Sequence, residues 1–383
     1  MEMPSTVLAG GMSRFVPGEG AAPGCRAPRR DGGQRAWVDH ALALLTRDAA
    51  ETPPTPLRAL AMPARPDLRF VFKDESAQPT GSLKHRLARS LLTSGLCSGE
   101  IGPDTALVEA SSGSTAVSEA WFARMLGLRF VAVMPRTTSP AKVAAIMASG
   151  GECHFVAEAR TVYAEAARLA QELGGVNLDQ FSNASRVVDW RRDNIAEELV
   201  AQTREATGQV PDWVVMGAGT GGTATTIGRH IRYAGLATRL CVADVEFSAF
   251  FDGVTRGDAA AVCDRPSRIE GVGRPRMEPS FYPGVVDLML KVPDAASIAA
   301  MHVLSRRLGQ RVGASTGAAF YAACAVAEEL PRDAGDHVIA SVICDSGERY
   351  LDRYFDGGWL VENGFDIAPI EARLGRLLDG ETA

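Results

Sequence analysis

Short apolar runs alternate with amphipathic helical stretches along most of this chain, and that alternation restricts the fold more than any other feature. Strands are expected at Leu68–Lys73, Ala106–Ala110, Phe130–Met134, Cys153–Val156, Trp213–Met216, Leu240–Asp244 and Val338–Cys344. Between them the spacing predicts helices at Ser82–Thr93, Thr115–Leu126, Pro140–Ser149, Val162–Leu173, Asn194–Thr207 and Thr223–Tyr233, with Ser297–Leu308 and Gly317–Leu330 further on. Neighbouring parallel strands need a crossover element, so the pattern predicts an α/β fold of twisted, mainly parallel sheets with helices on both faces. At 383 residues the chain suits two such lobes. Ahead of them, residues 1–33 are rich in Gly, Pro, Ala and Arg and read as a loose arm. The segment RAWVDHALALLTRDA from Arg35 has helical spacing, which TPPTP at 52–56 stops.

Composition excludes several classes of function. The net charge of -6 gives no reason to coat a phosphate backbone, so no nucleic-acid partner is expected. Arg26–Arg30 and Arg191–Arg192 are short clusters of the kind that solvated faces carry. Seven cysteines, at 25, 97, 153, 241, 263, 324 and 344, are scattered without a C-x-x-C. They read as reduced small hydrophobes, with neither a disulfide framework nor a metal site expected. No apolar run approaches the ~18 residues of a membrane span, and the N-terminus lacks the basic-then-apolar order expected of a signal peptide. A cytoplasmic protein is expected.

In open parallel sheets ligands gather where strands lead into helices, which selects the loops 74–82, 111–114, 217–222 and 345–347. The strongest phosphate signal is VVMGAGTGGTATTIG, a strand running through Gly217–Thr223 into a helix. Glycines let backbone N–H groups approach an anion, and the helix N-terminus adds favourable partial charge. Gly217, Gly219 and Gly222 also spell G-x-G-x-x-G, with Asp244 about twenty residues on. A dinucleotide site in an NAD-binding oxidoreductase therefore stays open at this point.

The loop PTGSLKHR weighs against it. Lys84 stands in the first turn of a helix, where a cation is electrostatically misplaced. A Schiff-base lysine, neutral as an imine, explains that position; a surface lysine is the plainer reading. Lys73 is the rival amine, but its KDE surroundings look solvated, and His85 and Arg86 are expected to point elsewhere on the helix. In EASSGST, Ser111, Ser112, Gly113, Ser114 and Thr115 offer hydroxyls and free N–H groups suited to a carboxylate, more than one helix cap requires. In CDSGERY, either Asp345 or Ser346 could meet a ring nitrogen or merely cap a helix.

Taken in order, PTGSLKHR, EASSGST, LDQFSN, GAGTGGT, IEGVG and CDSGERY resemble the fold-type II pyridoxal-phosphate enzymes of the cysteine synthase family, tryptophan synthase β-like in fold. The likeness runs from about Arg35 to Asp356, and the IEGVGRPR stretch is most similar to the actinobacterial L-cysteine desulfhydrase branch. The resemblance implies pyridoxal 5′-phosphate as cofactor, a small amino acid as substrate and a homodimer. It implies a large cofactor-binding lobe from 34–80 and 187–383, and a small lobe from 81–186 that carries the carboxylate loop. Lys84 would be the catalytic, cofactor-bearing lysine. Gly219, Thr220, Gly221, Gly222 and Thr223 would hold the cofactor phosphate, and Ser346 the pyridine nitrogen. Ser112, Gly113, Thr115 and Gln180 would bind the substrate carboxylate.

Two departures from the family stand out. Ser114 replaces the usual Asn at the cofactor's 3′ oxygen, and His85 replaces the usual Asp or Cys after the lysine. The reaction implied is β-elimination of L-cysteine to sulfide, pyruvate and ammonia. The alternative is β-replacement that makes cysteine or S-sulfocysteine, in which Arg274 and Arg276 would take an anionic group. A catalytically idle relative is a third reading, which an intact Lys84 opposes.

Overall fold

The main strands fall into a six-stranded and a four-stranded sheet, with the almost fully buried strand His337–Ile343 inside the larger. The computed structural model describes residues 32–332 and 335–380, together with the backbone of an antiparallel pair, β1 (Thr6–Leu8) and β2 (Met12–Arg14). Apart from that pair and Gly32 and Gly33, the expected N-terminal arm, with Cys25 and Arg26–Arg30, lies outside the described residues. The remaining strands are β3 (Leu57–Ala61), β4 (Leu68–Asp74), β5 (Leu107–Ala110), β6 (Phe130–Pro135), β7 (Glu152–Val156) and β8 (Val176–Asn177). They continue with β9 (Trp213–Gly217), β10 (Arg239–Val245), β11 (Leu288–Val292) and β12 (His337–Ile343).

The six-stranded sheet has the order β11-β10-β9-β12-β4-β3, parallel except for the β3 edge. The four-stranded sheet, β7-β6-β5-β8, is parallel throughout. In β4 and β12 alternate residues serve two cores, as the period of two demands. Phe70, Phe72, Ile339 and Ile343 face one core, where Phe320 meets both phenylalanine rings edge-on at 5.7 and 5.9 Å. Val71, Val338, Ala340 and Val342 face the other. The smaller sheet divides likewise, with Leu107, Phe130 and Ala132 on one side and Val108, Val131 and Val133 on the other.

Several elements differ from expectation. The helix Gly32–Glu51 buries Ala41 and Leu45 in one core with Leu92, Leu107 and Phe130, packing on the helices Lys84–Ser98 and Ser114–Leu126 over the four-stranded sheet rather than with the larger lobe. β3 follows the prolines directly, as an edge strand whose outer N–H groups need no ladder partner. β11 and the helices Ala249–Arg256, Gly357–Glu362 and Ala368–Asp379 are additional. No helix among the described residues is long and apolar enough to cross a membrane.

The loops after β4, β9 and β12 open at one edge of the large sheet, and the loop after β5 leads from the small one. Behind that edge the helices Asp294–Leu308 and Ala314–Glu329 pack closely, because Gly317 lies against the backbone of Ser297. A Cβ at Gly317 would stand 2.1 Å from the Ser297 carbonyl oxygen. Gly317→Ala is therefore expected to cost about 1–3 kcal/mol of stability by overpacking. Urea denaturation should show a lower midpoint at unchanged slope.

Candidate active site

Hydrogen bonds tie the helix start at Lys84 to the exit of β12. The Leu83 N–H donates to the Cys344 carbonyl at 2.9 Å, and Ser82 forms an antiparallel bridge with Asp345. The Lys84 N–H donates to Ser82 Oγ at 3.3 Å, and the helix runs from Lys84 to Ser98 without a side-chain N-cap. Lys84 thus leads its helix beside the 344–346 turn.

The chain has four lysines. Lys142 pairs with Glu270 at 2.8 Å and Lys291 with Asp252 at 3.3 Å. Lys73, expected to be solvated, is fully buried; its Nζ meets Glu198 at 2.9 Å, the Thr55 carbonyl at 2.9 Å and Gln202 at 2.8 Å. Its surroundings were misread because these partners arrive from distant segments. Lys84 is half-buried and, among the described residues, its Nζ has no hydrogen bond or ion pair. Burial lowers its proton affinity and the Arg274 cation adds to that, while Cys344, Glu119 and Glu109 oppose it.

Its neighbours are otherwise occupied. His85 is buried against Trp121 and Phe122, with Nε2 3.2 Å from Asp48 and Nδ1 3.3 Å from Thr80. Arg86 pairs with Glu75 at 2.8 Å and Glu198 at 2.6 Å.

The glycine turn needs its glycines. Gly221 has φ +83°, and a Cβ there would lie 2.4 Å from Phe281 Cβ. A Cβ at Gly219 would lie 2.3 Å from the Gly271 carbonyl oxygen, so the IEGVG loop sits directly on the turn. Thr220 Oγ1 accepts from the Gly222 N–H at 3.2 Å. The helix Gly222–Tyr233 otherwise presents first-turn N–H groups that intrahelical bonding leaves free. Thr220, Gly222 and Thr223 line a cavity with Leu83 and Leu87; Lys84 is not in its wall.

In the hydroxyl loop, Ser112 and Gly113 are half-buried and Thr115 is buried. The Thr115 hydroxyl donates to Gln180 Oε1 at 2.7 Å, so the structure joins two residues 65 positions apart. Ser114 accepts from Arg349 Nη1 at 2.9 Å, and Arg349 Nη2 donates to the Thr80 carbonyl at 2.7 Å. The short Ser114 side chain is therefore held by the loop after β12. Ser346 accepts from the Glu348 N–H at 3.3 Å and caps the turn Gly347–Tyr350. Asp345 is buried; Oδ2 accepts from the Tyr350 hydroxyl at 2.6 Å, while Oδ1 has no partner. Burial pushes its carboxyl up to about 6.

Two acids close to this amine stand outside the residues expected from the sequence. Glu109 at the end of β5 and Glu119 in the helix Ser114–Leu126 are fully buried. Neither oxygen of Glu119 has a hydrogen-bond partner, and burial, then the Glu109 charge, raises its carboxyl well above the ordinary range. A lone acid within the apolar runs ALVEA and AVSEAWF was the available signal. Arg274 was named only as a possible anion binder. Its guanidinium stacks on Phe181 at 4.1 Å, touches the Tyr163 hydroxyl and bonds the buried Glu278 at 3.2 Å, which Arg276 also meets at 3.2 Å. Asp244, the acid a dinucleotide reading needs, is fully buried and accepts from the Phe251 N–H at 2.8 Å. It is shut away from any ribose.

Residues 48–345 match the family described as pyridoxal-phosphate dependent enzyme. The chain is 51% identical over 345 residues to the L-cysteine desulfhydrase Cds1 of Mycobacterium tuberculosis, covering 89% of this chain and 94% of that protein. The crystal structure of O-ureido-L-serine synthase superposes with a TM-score of 0.72 at 28% identity, covering 82% of this chain and 98% of that one. A hydrogen sulfide-producing enzyme superposes with a TM-score of 0.70 at 25% identity, covering 80% and 90%.

The residues present fit such a cofactor. An unpaired amine at Lys84, free N–H groups at a glycine-led helix start and the partnerless Asp345 Oδ1 stand around one sheet edge. A methyl group at Gly221 would meet both a left-handed φ and Phe281, at a backbone cost of roughly 1–2 kcal/mol. Gly221→Ala should therefore retain pyridoxal phosphate about tenfold less tightly. Visible absorbance during cofactor titration checks this, with circular dichroism confirming the fold.

Proposed function

Because this chain belongs to the pyridoxal-phosphate dependent enzymes, we propose that it cleaves L-cysteine with water to sulfide, pyruvate and ammonia. The observation that carries the reading is Lys84, the only lysine of the four without a partner among the described residues, at a helix start tied to the exit of β12. Support for the substrate comes from the desulfhydrase relative, identical at half of the aligned positions.

Lys84 is the residue that would hold the cofactor. The backbone of Gly219, Thr220, Gly221, Gly222 and Thr223 would hold its phosphate, Ser346 its ring nitrogen, and Ser114 its 3′ oxygen. Ser112, Gly113, Thr115 and Gln180 would take the substrate carboxylate. When bound, pyridoxal phosphate supplies an electron sink conjugated to the substrate Cα.

The protein's own contribution is proton handling and position. Lys84, with its proton affinity lowered by burial, is available as a neutral amine to remove the Cα proton. The β-carbon–sulfur bond breaks with its electron pair on sulfur, which leaves as hydrosulfide. The Thr115 hydroxyl and the Gln180 amide fix the carboxylate so that the Cα–H bond is presented to Lys84. Ser346 is a neutral partner for a ring nitrogen, and a neutral partner leaves the ring less protonated; that favours prompt loss of the β-substituent over prolonged carbanion chemistry.

A synthase among the structural relatives favours β-replacement as the second reading. Against an anionic co-substrate stands Glu278, whose buried carboxylate already engages both Arg274 and Arg276. The homodimer and the cytoplasmic setting belong to the same proposal; free cysteines at 97, 153, 241, 263, 324 and 344 support a reducing compartment.

Incubating the holoenzyme with L-cysteine should yield sulfide and pyruvate in equal amounts. Adding a thiol should divert little of that flux into a new amino acid. Thioether formation that outpaces pyruvate would reverse the two readings. Lys84→Ala should lower turnover by about 10²–10⁴-fold, the range typical for loss of an acid–base group.

A further inference from the structure

Glu109 stands behind the carboxylate-binding residues rather than among them. It is fully buried, and its two oxygens both face Gln180: the Gln180 N–H donates to Oε2 at 3.1 Å and Nε2 to Oε1 at 3.4 Å. With Nε2 drawn toward Glu109, the Gln180 amide turns Oε1 to Thr115, whose hydroxyl donates to it at 2.7 Å. Gln180 and Thr115 are themselves buried, so water does not relieve this arrangement.

A carboxylate ligand accepts hydrogen bonds and offers none. In the arrangement just described the single Thr115 hydroxyl proton is spent on Gln180. We propose that Glu109 is a positioning residue for the substrate carboxylate, its protonation deciding which end of the Gln180 amide faces Thr115. A protonated Glu109 donates to Gln180 Oε1 and the amide turns over. Nε2 then donates to Thr115 Oγ1, and the hydroxyl proton is released toward the substrate. The Gln180 backbone N–H keeps its place on the other Glu109 oxygen throughout. This inference rests on the assignment of Thr115 and Gln180 to the substrate carboxylate.

The surroundings keep both forms of Glu109 within reach near neutral pH. Burial is the largest influence, and the Asp179 carboxylate on the neighbouring turn also favours the proton; together they push the group up to about 7. Glu119, on the helix behind the hydroxyl loop, faces it as a second buried acid, itself held protonated. Lys84 and Arg274 are the cations that face it and favour its charge. The sign follows: the donor arrangement predominates below that pH and is lost above it.

The test uses the holoenzyme and two unreactive amines, glycine and ethylamine, with binding followed by the change in the visible spectrum. Corrected for amine ionisation, glycine should bind about tenfold more weakly at pH 8 than at pH 6, as the competent fraction falls. Ethylamine, which has no carboxylate, should show no such loss. Glu109→Gln, a permanent donor, should abolish the dependence and bind glycine at pH 8 about tenfold more tightly than the wild type. A wild-type glycine profile as flat as that of ethylamine overturns the inference without any variant, even if Glu109→Gln does not fold. A pH dependence that survives Glu109→Gln overturns it as well. Thr115→Ala separates the two levels. If it leaves the preference for glycine over ethylamine intact, the carboxylate assignment itself falls. If the preference is lost while Glu109→Gln keeps the wild-type slope, only the role of Glu109 falls.

Discussion

The seven-pair parallel register between β4 and β12 and the tie of Leu83 to Cys344 are the constraint on which the site depends. The register brings the ends of two central strands level. The tie then fixes the first turn of the next helix against the turn that follows β12. Lys84 and Ser346 are thereby held at one sheet edge although they lie 262 residues apart in sequence. The glycine turn after β9 joins them because β9 is the other neighbour of β12. The amine, the glycine turn and the 345–347 turn meet because three parallel strands end together, while the hydroxyl loop and Gln180 come from the four-stranded sheet.

Around that edge the protein buries more acid than it neutralises. Glu109 and Glu119 lie on the small-sheet side, and Asp345 lies on the large-sheet side beneath Ser346. Desolvation lifts all three above the ordinary carboxylate range. At these three groups the folded state holds protons that the unfolded chain releases, and they withdraw stability as pH rises through the ordinary carboxylate range to about 6 for Asp345 and about 7 for Glu109. Such groups persist where their protons are useful. The unpaired Lys84 amine stands near all three, in a site that must transfer a proton from carbon.

Much of this was legible in the chain. Continuous apolar strands flanked by helical spacing imply parallel sheets whatever the family, and both sheets are there. Lys84 announced itself as a cation at the wrong end of a helix, a local electrostatic misfit that no distant residue was needed to detect. The glycine turn was readable for the same reason, since a strand running through glycines into a helix is a local pattern, although the Gly271 and Phe281 contacts that require them are distant in sequence. What escaped was long-range pairing. Lys73 looked solvated beside Asp74 and Glu75, yet Glu198 and Gln202 close over it from more than a hundred residues away. Glu109 read as a strand end because its partner Gln180 is 71 residues downstream. The helix Gly32–Glu51 showed its period but not its destination, since an apolar face does not say which sheet it covers. The departure at Ser114 acquires a physical setting only once Arg349 is seen to hold it.

The central claim is that one amine, and only that one, carries the cofactor. Reduction of the holoenzyme with borohydride, followed by digestion and peptide mass mapping, reads it directly, because only Lys73, Lys84, Lys142 and Lys291 can bear the reduced pyridoxyl group. The account predicts the adduct on the peptide containing Lys84 and unmodified peptides for the other three. An adduct on Lys73, or no adduct on any lysine of a cofactor-loaded sample, would contradict it.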